Sequence, residues 1–327
     1  MIEVVLLGTA ASAPTIQRNL PAQMVLHRDE RFLIDCGEGT QRQILRSGLG
    51  FRRLEQIFLT HGHLDHILGL GGLVSTFARW EVVDRVQIYG GRWALDRVED
   101  LLFRVVLRGP SPPVPIELLD IRPGLLQEGE TLEIHAFAVQ HRGPGCHGYL
   151  FQEKAHRPFL VEKAEVLGVP AGPERRDLVN GKRVTLADGR VIEPDDVLGP
   201  PRPGPSVAFT GDIADIEGVI ENVEDVDLLV CEATYLQEDA ALARQFGHLT
   251  AAQAARLARE AGVRSLVLNH LSQRYRVRDI LAEARAIFPD TIVARDFDRY
   301  RVTRERIDVV NEELHDDEIF FSTLVDE

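Results

Sequence analysis

The sequence predicts an α/β fold for a chain of 327 residues, and three observations lead to this prediction. Short apolar runs that end in polar or turn residues alternate with stretches of helical periodicity. Six strand-like runs end in a residue able to take part in chemistry, which are Asp35, His61, His141, Asp212, Glu232 and His270. A segment rich in proline and glycine interrupts the alternation over residues 161–205 and predicts a poorly structured, protruding arm.

The strands and helices follow from local patterns in chain order. Before the arm, apolar runs predict strands at residues 4–8, 23–27, 32–35, 56–60, 86–89 and 132–140, and helical periodicity covers residues 40–47, 67–80 and 92–107. Within the arm, residues 183–186 and 190–192 flank an Ala-Asp-Gly turn and predict a small hairpin. After the arm, we expect strands at residues 206–210, 226–231 and 264–269 and helices at 251–261 and 279–288, the first opened by a capping box at Thr250 and Gln253.

Composition predicts a cytoplasmic protein without a membrane partner. Hydrophobic residues make up 44% of the chain and charged residues 27%, which argues against disorder and against a fibrous protein. No apolar run approaches the roughly 18 residues that a transmembrane helix needs. The acidic Glu3 stands where a secretory signal carries basic charge. The three cysteines are too few and too widely spaced for a disulfide framework.

The charge of the chain is unevenly distributed. The formal net charge is −14, which taken alone argues against a nucleic-acid partner. Residues 305–327, however, hold nine acids and one base, and therefore more than half of the excess. We interpret residues 305–327 as a solvated acidic tail and residues 1–304, including the arm at 161–205, as one catalytic domain. A basic face elsewhere on that domain remains compatible with the charge balance.

The segment Thr60-His61-Gly62-His63-Leu64-Asp65-His66 is the sharpest local signal. Three histidines and one aspartate lie close together between a predicted strand and a predicted helix. Imidazole nitrogens and carboxylate oxygens are ligands for zinc and similar divalent ions. A spacing of two in an extended turn can direct His61 and His63 to one ion, and Asp65 and His66 can face a second ion. A structural loop would rarely concentrate four such ligands, so the segment predicts a metal site.

His-x-His-x-Asp-His is the signature of the metallo-β-lactamase fold, and further motifs resemble one branch of it, the ribonuclease Z family. The opening residues Gly8, Thr9, Pro14, Arg18 and Asn19 resemble the start of that family, and the run Asp35-Cys36-Gly37-Glu38-Gly39-Thr40-Gln41 matches it closely. Later motifs follow in family order: His141 before Gly148-Tyr149, Gly211-Asp212, Cys231-Glu232-Ala233-Thr234, Gly247-His248-Leu249-Thr250 and His270-Leu271-Ser272-Gln273-Arg274-Tyr275. The resemblance covers residues 1 to about 300 and implies a four-layer αββα sandwich.

The resemblance, taken with ligand chemistry, implies a dinuclear zinc site in each subunit. One ion would be held by His61, His63 and His141, the other by Asp65, His66 and His270, and Asp212 would bridge them. The same ligands also accept manganese or iron. Asp65 would in addition act as a base that orients the attacking water. His248, supported by Glu232, resembles the pair that protonates the leaving 3′ oxygen, and Arg274 would contact the scissile phosphate.

The arm bears on the expected substrate. Gly172 and Pro173 lie in a stretch that resembles the glycine-proline tip of the family's tRNA-gripping arm, and Arg175, Arg176, Lys182 and Arg183 would form a basic patch beside it. Residues 163–202 carry seven bases and seven acids, a weaker electrostatic signal than phosphate binding predicts. The other interpretation of the arm is a proline-rich insertion that covers the protein's own surface.

The resemblance implies an endoribonuclease that removes the 3′ trailer from precursor tRNA, just after the discriminator nucleotide, and leaves a 3′ hydroxyl. It also implies a homodimer in which one subunit's arm holds tRNA for the other's metal site. One alternative is a small-molecule phosphodiesterase or arylsulfatase-like hydrolase of the same fold, for which deletion of residues 165–200 would spare activity. A second is an RNA-binding or scaffold protein with a structural metal, for which His66→Ala would leave function intact.

Overall fold

Two β-sheets dominate the computed structural model, which describes residues 1–107 and 114–310. The strands are, in chain order, β1 (Ile2–Gly8), β2 (Ala22–His27), β3 (Glu30–Ile34), β4 (Gln56–Phe58), β5 (Val86–Gly90), β6 (Ile116–Asp120), β7 (Gly124–Glu128), β8 (Leu132–Ala138), β9 (His147–Glu153), β10 (Val184–Thr185), β11 (Val191–Ile192), β12 (Ser206–Phe209), β13 (Leu228–Glu232), β14 (Ser265–Asn269), β15 (Thr291–Val293), β16 (Arg299–Val302) and β17 (Ile307–Val310).

Helices occupy most of the connections between these strands. They are α1 (Thr40–Arg46), α2 (Leu64–Ile67), α3 (Gly69–Trp80), α4 (Arg92–Glu99), α5 (Val161–Val166), α6 (Pro173–Val179), α7 (Pro194–Val197), α8 (Ala240–Phe246), α9 (Ala251–Glu260) and α10 (Val277–Arg285). A π-helical segment, Asp100–Val106, continues α4, and short 3-10 turns lie at Ile220–Val223 and Gln237–Asp239. Among the described residues, none of the helices is both long enough and apolar enough to span a bilayer.

Each large sheet combines antiparallel and parallel pairing. In the described chain, the first sheet has eight strands in the order β17-β16-β1-β2-β3-β4-β5-β6, and the second has seven in the order β15-β14-β13-β12-β9-β8-β7. Strands β3 to β6 are parallel, as are β12 to β15. The carboxyl ends of each parallel set therefore meet at one edge of its sheet, where loops can bring distant residues together.

The alternation of apolar residues along the strands explains the layering. In β1, Ile2, Val4 and Leu6 pack in the core between the two sheets, which also contains Phe151 and Val267 of the second sheet. The intervening Val5 and Leu7 face the opposite side, where they pack in the core that α1 and α3 cover. A third core lies between the second sheet and helices α9 and α10. Because side chains alternate along a strand, sheets buried on both faces give the predicted four-layer αββα sandwich.

Helix α9 begins as the sequence predicts. The Thr250 hydroxyl accepts a hydrogen bond from the Gln253 amide at 3.1 Å, and the Gln253 side chain accepts one from the Thr250 amide at 2.9 Å. This reciprocal capping satisfies two backbone donors at the helix start. Small buried residues such as Ala251, Ala254 and Ala258 then let the helix lie close on the second sheet.

Residues Glu153–Gly204 form one compact unit, and the described residues of Met1–Gln152 and from Pro205 onward form the other. The sequence predicts a poorly structured arm here, and that expectation is wrong in its detail. Helices α5, α6 and α7 and the hairpin of β10 and β11 surround a small core of Ala164, Leu178 and Val197. The apolar residues of this unit are scattered among prolines and glycines, so their shared core leaves no simple periodic pattern. The hairpin itself lies where the sequence predicts it.

Other differences from the sequence predictions lie at element ends and in strands that were not predicted. Ile307–Val310, assigned to the acidic tail, instead forms β17 and pairs with Arg299–Val302 of β16. The remainder of that tail, residues 311–327, lies outside the described residues. The predicted helix over residues 92–107 loses α-helical geometry at Asp100 and continues as the π-helical segment. Strands β6, β7 and β9 were not predicted, because their polar residues break the apolar alternation.

Candidate metal centre

The fold brings together the histidine-rich turn, residues 60–66, and the other predicted strand-end residues, which are Asp35, His141, Asp212, Glu232 and His270. The turn follows β4, Asp212 follows β12, Glu232 ends β13 and His270 follows β14. The loop before Asp212 requires glycine at residue 211, where φ is +62° and a Cβ would lie 2.7 Å from Thr60 Cβ. Close approach of these two loops therefore sets the distance between ligands from different sheets.

The first group of side chains contains His61, His63, His141 and Asp212. His61 Nε2 lies 2.9 Å from His63 Nδ1, and His141 Nε2 lies 3.2 Å from the same His63 atom. Asp212 Oδ2 lies 3.7 Å from His61 Nε2 and 3.8 Å from His141 Nε2. Four potential ligand atoms thus converge from three loops.

The second group contains Asp65, His66 and His270. Asp65 Oδ2 lies 3.8 Å from His66 Nε2 and 3.6 Å from His270 Nε2. Asp212 Oδ2 lies 3.4 Å from each of these two nitrogens. The same carboxylate oxygen of Asp212 therefore adjoins both groups.

Polar partners fix the orientation of four of the histidine rings from behind. The Nδ1 atoms of His61, His66, His141 and His270 lie 3.0 Å from Thr60 Oγ1, 2.8 Å from Asp35 Oδ2, 2.7 Å from the Gly247 carbonyl oxygen and 2.9 Å from Thr234 Oγ1, respectively. Asp35 is itself held by the Thr60 amide and hydroxyl at 2.8 Å each. Such partners select the ring nitrogen that is offered to a metal.

The residues fit a divalent metal ion in their donor chemistry. Among the described residues, His66 Nε2, His270 Nε2 and Asp212 Oδ1 are buried without a hydrogen-bond partner. Unpaired buried polar atoms are costly, so three of them on neighbouring side chains indicate a missing partner. Imidazole and carboxylate donors at this spacing suit zinc, manganese or iron. We conclude that the arrangement is that of a divalent metal site.

Electrostatics at the two groups differ. Burial, together with neighbouring histidines, lowers the pKa of His61 and lowers that of His63 to about 4, which favours the neutral ligand form. Burial also acts to lower the pKa of His66, but the carboxylates of Asp212 and Asp35 outweigh it and raise that pKa well above its usual value. A bound cation would replace this proton, since both respond to the same negative charge.

The predicted acid pair lies beside the metal-ligand groups. His248 Nδ1 lies 3.0 Å from Glu232 Oε1 and 3.9 Å from Asp212 Oδ2. Burial lowers the pKa of His248, but the charge of Glu232 and its hydrogen bond outweigh this effect and raise that pKa to about 9. His248 also lies within metal-holding distance of Asp212 and His270, yet its short contact with Glu232 favours a proton at Nδ1.

An open cleft of about 430 Å³ leads to the candidate centre. Its walls include His63, Asp65, Arg97, Arg142, Tyr235, Phe246 and His248. The predicted phosphate contact Arg274 is exposed on the segment after His270, and its charge acts on Tyr235 of the cleft wall.

The predicted substrate-binding residues lie in the second unit, Glu153–Gly204. Gly172 precedes α6, which begins at Pro173. The Arg175 guanidinium lies 5.8 Å from the centre of the Phe159 ring and donates a hydrogen bond to the Val169 carbonyl at 3.1 Å. Arg176, Lys182 and Arg183 are exposed, with Lys182 3.5 Å from Asp177. Arg175 is thus partly used inside the unit, whereas the other bases face solvent.

Several contributors to the site were not identified from the sequence in these roles. Asp35 was noted as a strand end but given no task, and Thr234 and the Gly247 carbonyl were only parts of quoted motifs. Thr234 contacts both Glu232 Oε2, at 2.5 Å, and His270 Nδ1. Their roles depend on contacts between residues up to 106 positions apart, which a single sequence does not reveal.

Comparison with known proteins places the chain among enzymes of one superfamily. Residues 22–157 match the family model described as metallo-beta-lactamase superfamily, and residues 197–271 match that of the beta-lactamase superfamily domain. The chain is 47% identical over 302 residues to ribonuclease Z of a Bradyrhizobium species. The alignment covers 92% of this chain and 100% of the relative. It is 40% identical to ribonuclease Z of Gemmatimonas aurantiaca, over 89% of this chain and 92% of the relative.

Solved structures agree with this placement. Human tRNase Z, short form, is 25% identical and superimposes with a TM-score of 0.61 over 92% of this chain and 99% of its own. A metallo-beta-lactamase fold protein of Bacillus subtilis superimposes with a TM-score of 0.66 at 18% identity, over 92% of this chain and 100% of its own. The second likeness supports the fold alone.

Proposed function

This chain belongs to the ribonuclease Z family of the metallo-β-lactamase superfamily, and we propose that its histidine and aspartate cluster is the centre that removes the 3′ trailer from precursor tRNA. The protein is a hydrolase, a tRNA 3′-processing endoribonuclease. The convergence of both ligand groups on Asp212 Oδ2 is the observation that carries the assignment of the reaction to this cluster.

The proposed ligand sets follow the two groups. His61, His63 and His141 would hold one divalent ion, and Asp65, His66 and His270 would hold the other. Asp212 would contribute to both sites, because its Oδ2 lies between 3.4 and 3.8 Å from four of the proposed ligand nitrogens. We assign zinc to both positions, and manganese or iron suits the same donors. When bound, two such ions lower the pKa of a water toward neutrality and stabilise the attacking and leaving oxygens of a phosphodiester.

The remaining chemistry belongs to side chains at the mouth of the centre. Asp65 orients the attacking water as a base. The water oxygen bonds to phosphorus as its proton passes to Asp65, the bond between phosphorus and the 3′ oxygen breaks, and His248 gives its proton to that oxygen. The 3′ hydroxyl therefore stays on the tRNA and the phosphate stays on the 5′ end of the trailer. Glu232 keeps His248 charged by accepting the hydrogen bond of Nδ1, and Arg274 binds the scissile phosphate.

Substrate binding is assigned to the second unit. Gly172, Pro173, Arg175, Arg176, Lys182 and Arg183 grip the tRNA. In this proposal the protein works as a homodimer, so that the arm of one subunit serves the metal centre of its partner. The buried, free thiols of Cys36, Cys146 and Cys231 are consistent with the cytoplasmic location that the sequence predicts.

Cleavage of precursor tRNA by protein of known metal content tests this function. We expect zinc- or manganese-loaded protein to release the intact trailer with a 5′ phosphate, and His66→Ala to reduce the rate at least about 1,000-fold. His135→Ala is the matched control, because His135 lies on β8 beside Glu133 at 3.4 Å and outside both ligand groups. An uncut trailer with loaded wild-type protein, or full activity of His66→Ala, contradicts the proposal.

A further inference from the structure

His63 differs from the other histidines of the centre in what holds its ring. His61, His66, His141 and His270 each have a polar partner behind the ring. Among the described residues, His63 uses only Nδ1 in hydrogen bonds, and that atom faces His61 and His141. Its ring packs instead against the indole of Trp93, with centroids 5.5 Å apart and planes at 86°.

Trp93 fills the space between two loops that carry ligands of the same ion. A Cβ on Gly62, between His61 and His63, would lie 3.0 Å from the Trp93 ring. A Cβ on Gly143, two residues after His141, would lie 2.7 Å from Cζ3 of the same ring, and Gly143 has a φ of +113°. Both positions therefore require glycine if the indole is to touch the backbone of each loop.

Two further contacts hold the indole and these loops in place. The Arg97 guanidinium, one turn along α4, lies 4.9 Å from the centre of the Trp93 ring and donates a hydrogen bond to the Gly62 carbonyl at 3.0 Å. At the start of the same helix, the backbone of Gly91 touches that of Gly145, since a Cβ on Gly91 would lie 2.1 Å from the Gly145 carbonyl oxygen. Helix α4 thus contacts both loops through backbone and side chain.

We infer that Trp93, held by Arg97, is a positioning residue that sets the geometry of His63 and His141 for one metal ion. This inference rests on the proposed ligand sets. The Trp93 indole, which we call the wedge, takes the place of a hydrogen bond. It fixes the ring of His63 and the distance between the loops that carry His63 and His141. Groups behind metal ligands change metal affinity by about 10- to 100-fold when they are removed. The second group, Asp65, His66 and His270, has its own partners and does not depend on this wedge.

Stepwise zinc titration against a chelator of known affinity is the first test. Wild-type protein binds two equivalents, and Trp93→Ala weakens one of them about 10-fold or more while the other stays unchanged. Trp93→Phe restores most of the affinity because it keeps an aromatic ring at the wedge. Arg97→Gln, which leaves the apolar core intact, lowers the affinity for the same zinc equivalent by a smaller factor.

Trp80→Ala is the matched control for these variants. Trp80 is the other tryptophan of the chain, ends α3 and packs on Phe51 with centroids 5.9 Å apart. We expect this variant to bind both equivalents as the wild type does. Equal zinc binding by Trp93→Ala and wild type overturns the inference, as does an equal loss in Trp80→Ala.

Hydrogen exchange of the metal-free proteins separates this inference from the proposed function. Trp93→Ala speeds amide exchange at residues 60–66 and 141–147, whereas Trp80→Ala does not, because only the indole of Trp93 lies between these loops. If wild-type protein binds no divalent ion, the proposed ligand sets fail and the exchange result still decides whether Trp93 positions the loops. Unchanged exchange in Trp93→Ala overturns the inference.

Discussion

At the scale of single residues, the candidate centre depends on acids that occupy different environments. Asp212 is buried, which acts to raise its pKa, but the charges of His270, His66 and His61 outweigh burial and lower that pKa well below the usual value. Glu232 is equally buried, but its carboxylate forms hydrogen bonds with His248, the Thr234 hydroxyl and the Ile213 amide. One carboxylate is therefore available to cations, and the other keeps a histidine charged.

Replacing Glu232 by glutamine tests the acid role of His248. The charged form of His248 donates the proton, so cleavage is lost as pH rises through its pKa. Glu232 raises this pKa, and a neutral glutamine lowers it, so the alkaline limb of the profile moves to lower pH by about one unit or more. The measurement is kcat/KM on precursor tRNA as a function of pH. Glu238→Gln, at an exposed acid, leaves the limb in place, and an unmoved limb in Glu232→Gln argues against the assignment.

At the scale of elements, the second unit, Glu153–Gly204, has contacts that hold it together internally. An antiparallel bridge between His156 and Arg202 joins the two ends of this unit. A second antiparallel bridge joins Phe159 and Leu198, further inside its sequence. Its small core and its internal ion pair between Arg157 and Asp195, at 2.6 Å, support a local fold. A change confined to this unit is therefore expected to leave the metal ligands unaffected.

Replacement of residues 158–200 by a short Gly-Ser linker separates substrate binding from chemistry. We expect cleavage of precursor tRNA to fall at least about 100-fold, because binding energy from remote contacts is lost. Hydrolysis of a small phosphodiester should stay within about 3-fold of the wild type, since the metal ligands are unchanged. A triple replacement of Arg176, Lys182 and Arg183 by alanine is the milder companion, which keeps the core of the unit. Retained tRNA cleavage in both variants contradicts the role of this unit.

Much of the fold was predictable, and all seven proposed ligands were named from the sequence, for identifiable reasons. His61, His63, Asp65 and His66 lie within six residues, Asp212 lies three residues after an apolar strand, and His270 directly follows another. Asp35 has the same strand-end position, but its task depends on contact with His66, which the sequence alone does not reveal. Trp93 lies in an amphipathic helix, where an aromatic residue is ordinarily part of the core. The core of the second unit escaped prediction because its apolar residues follow no single period.

At the scale of the whole molecule, the candidate centre joins the two sheets. His61 and His66 follow a strand of the first sheet, and Asp212 and His270 follow strands of the second. The N-terminal loop reinforces this connection: the Ser12 amide donates to Asp65 at 3.1 Å, and the Leu271 amide donates to the Thr9 carbonyl at 2.9 Å. Ion binding is therefore expected to stabilise the packing of one sheet on the other.

Metal removal tests this coupling of the centre to global stability. Free zinc at 1,000-fold above the dissociation constant adds about 4 kcal/mol to the free energy of unfolding, so chelation lowers Tm by several degrees. The measurement is thermal unfolding of wild type and His66→Ala with and without a chelator. His66→Ala shows a much smaller chelator effect, because one ligand set is incomplete. An equal Tm with and without zinc in the wild type would falsify the coupling.

Strand β1 pairs with β2 along one edge and with β16 along the other. Strand β16 ends at Val302, far along the chain from β1. During synthesis on the ribosome, β1 therefore exposes one edge until almost 300 further residues have been translated, and the last proposed ligand, His270, emerges nearly as late. Pairing between such distant segments is slow, and an open edge invites association with other chains. Nascent copies of this protein are for that reason expected to need chaperone protection and to bind divalent metal only after translation is almost complete.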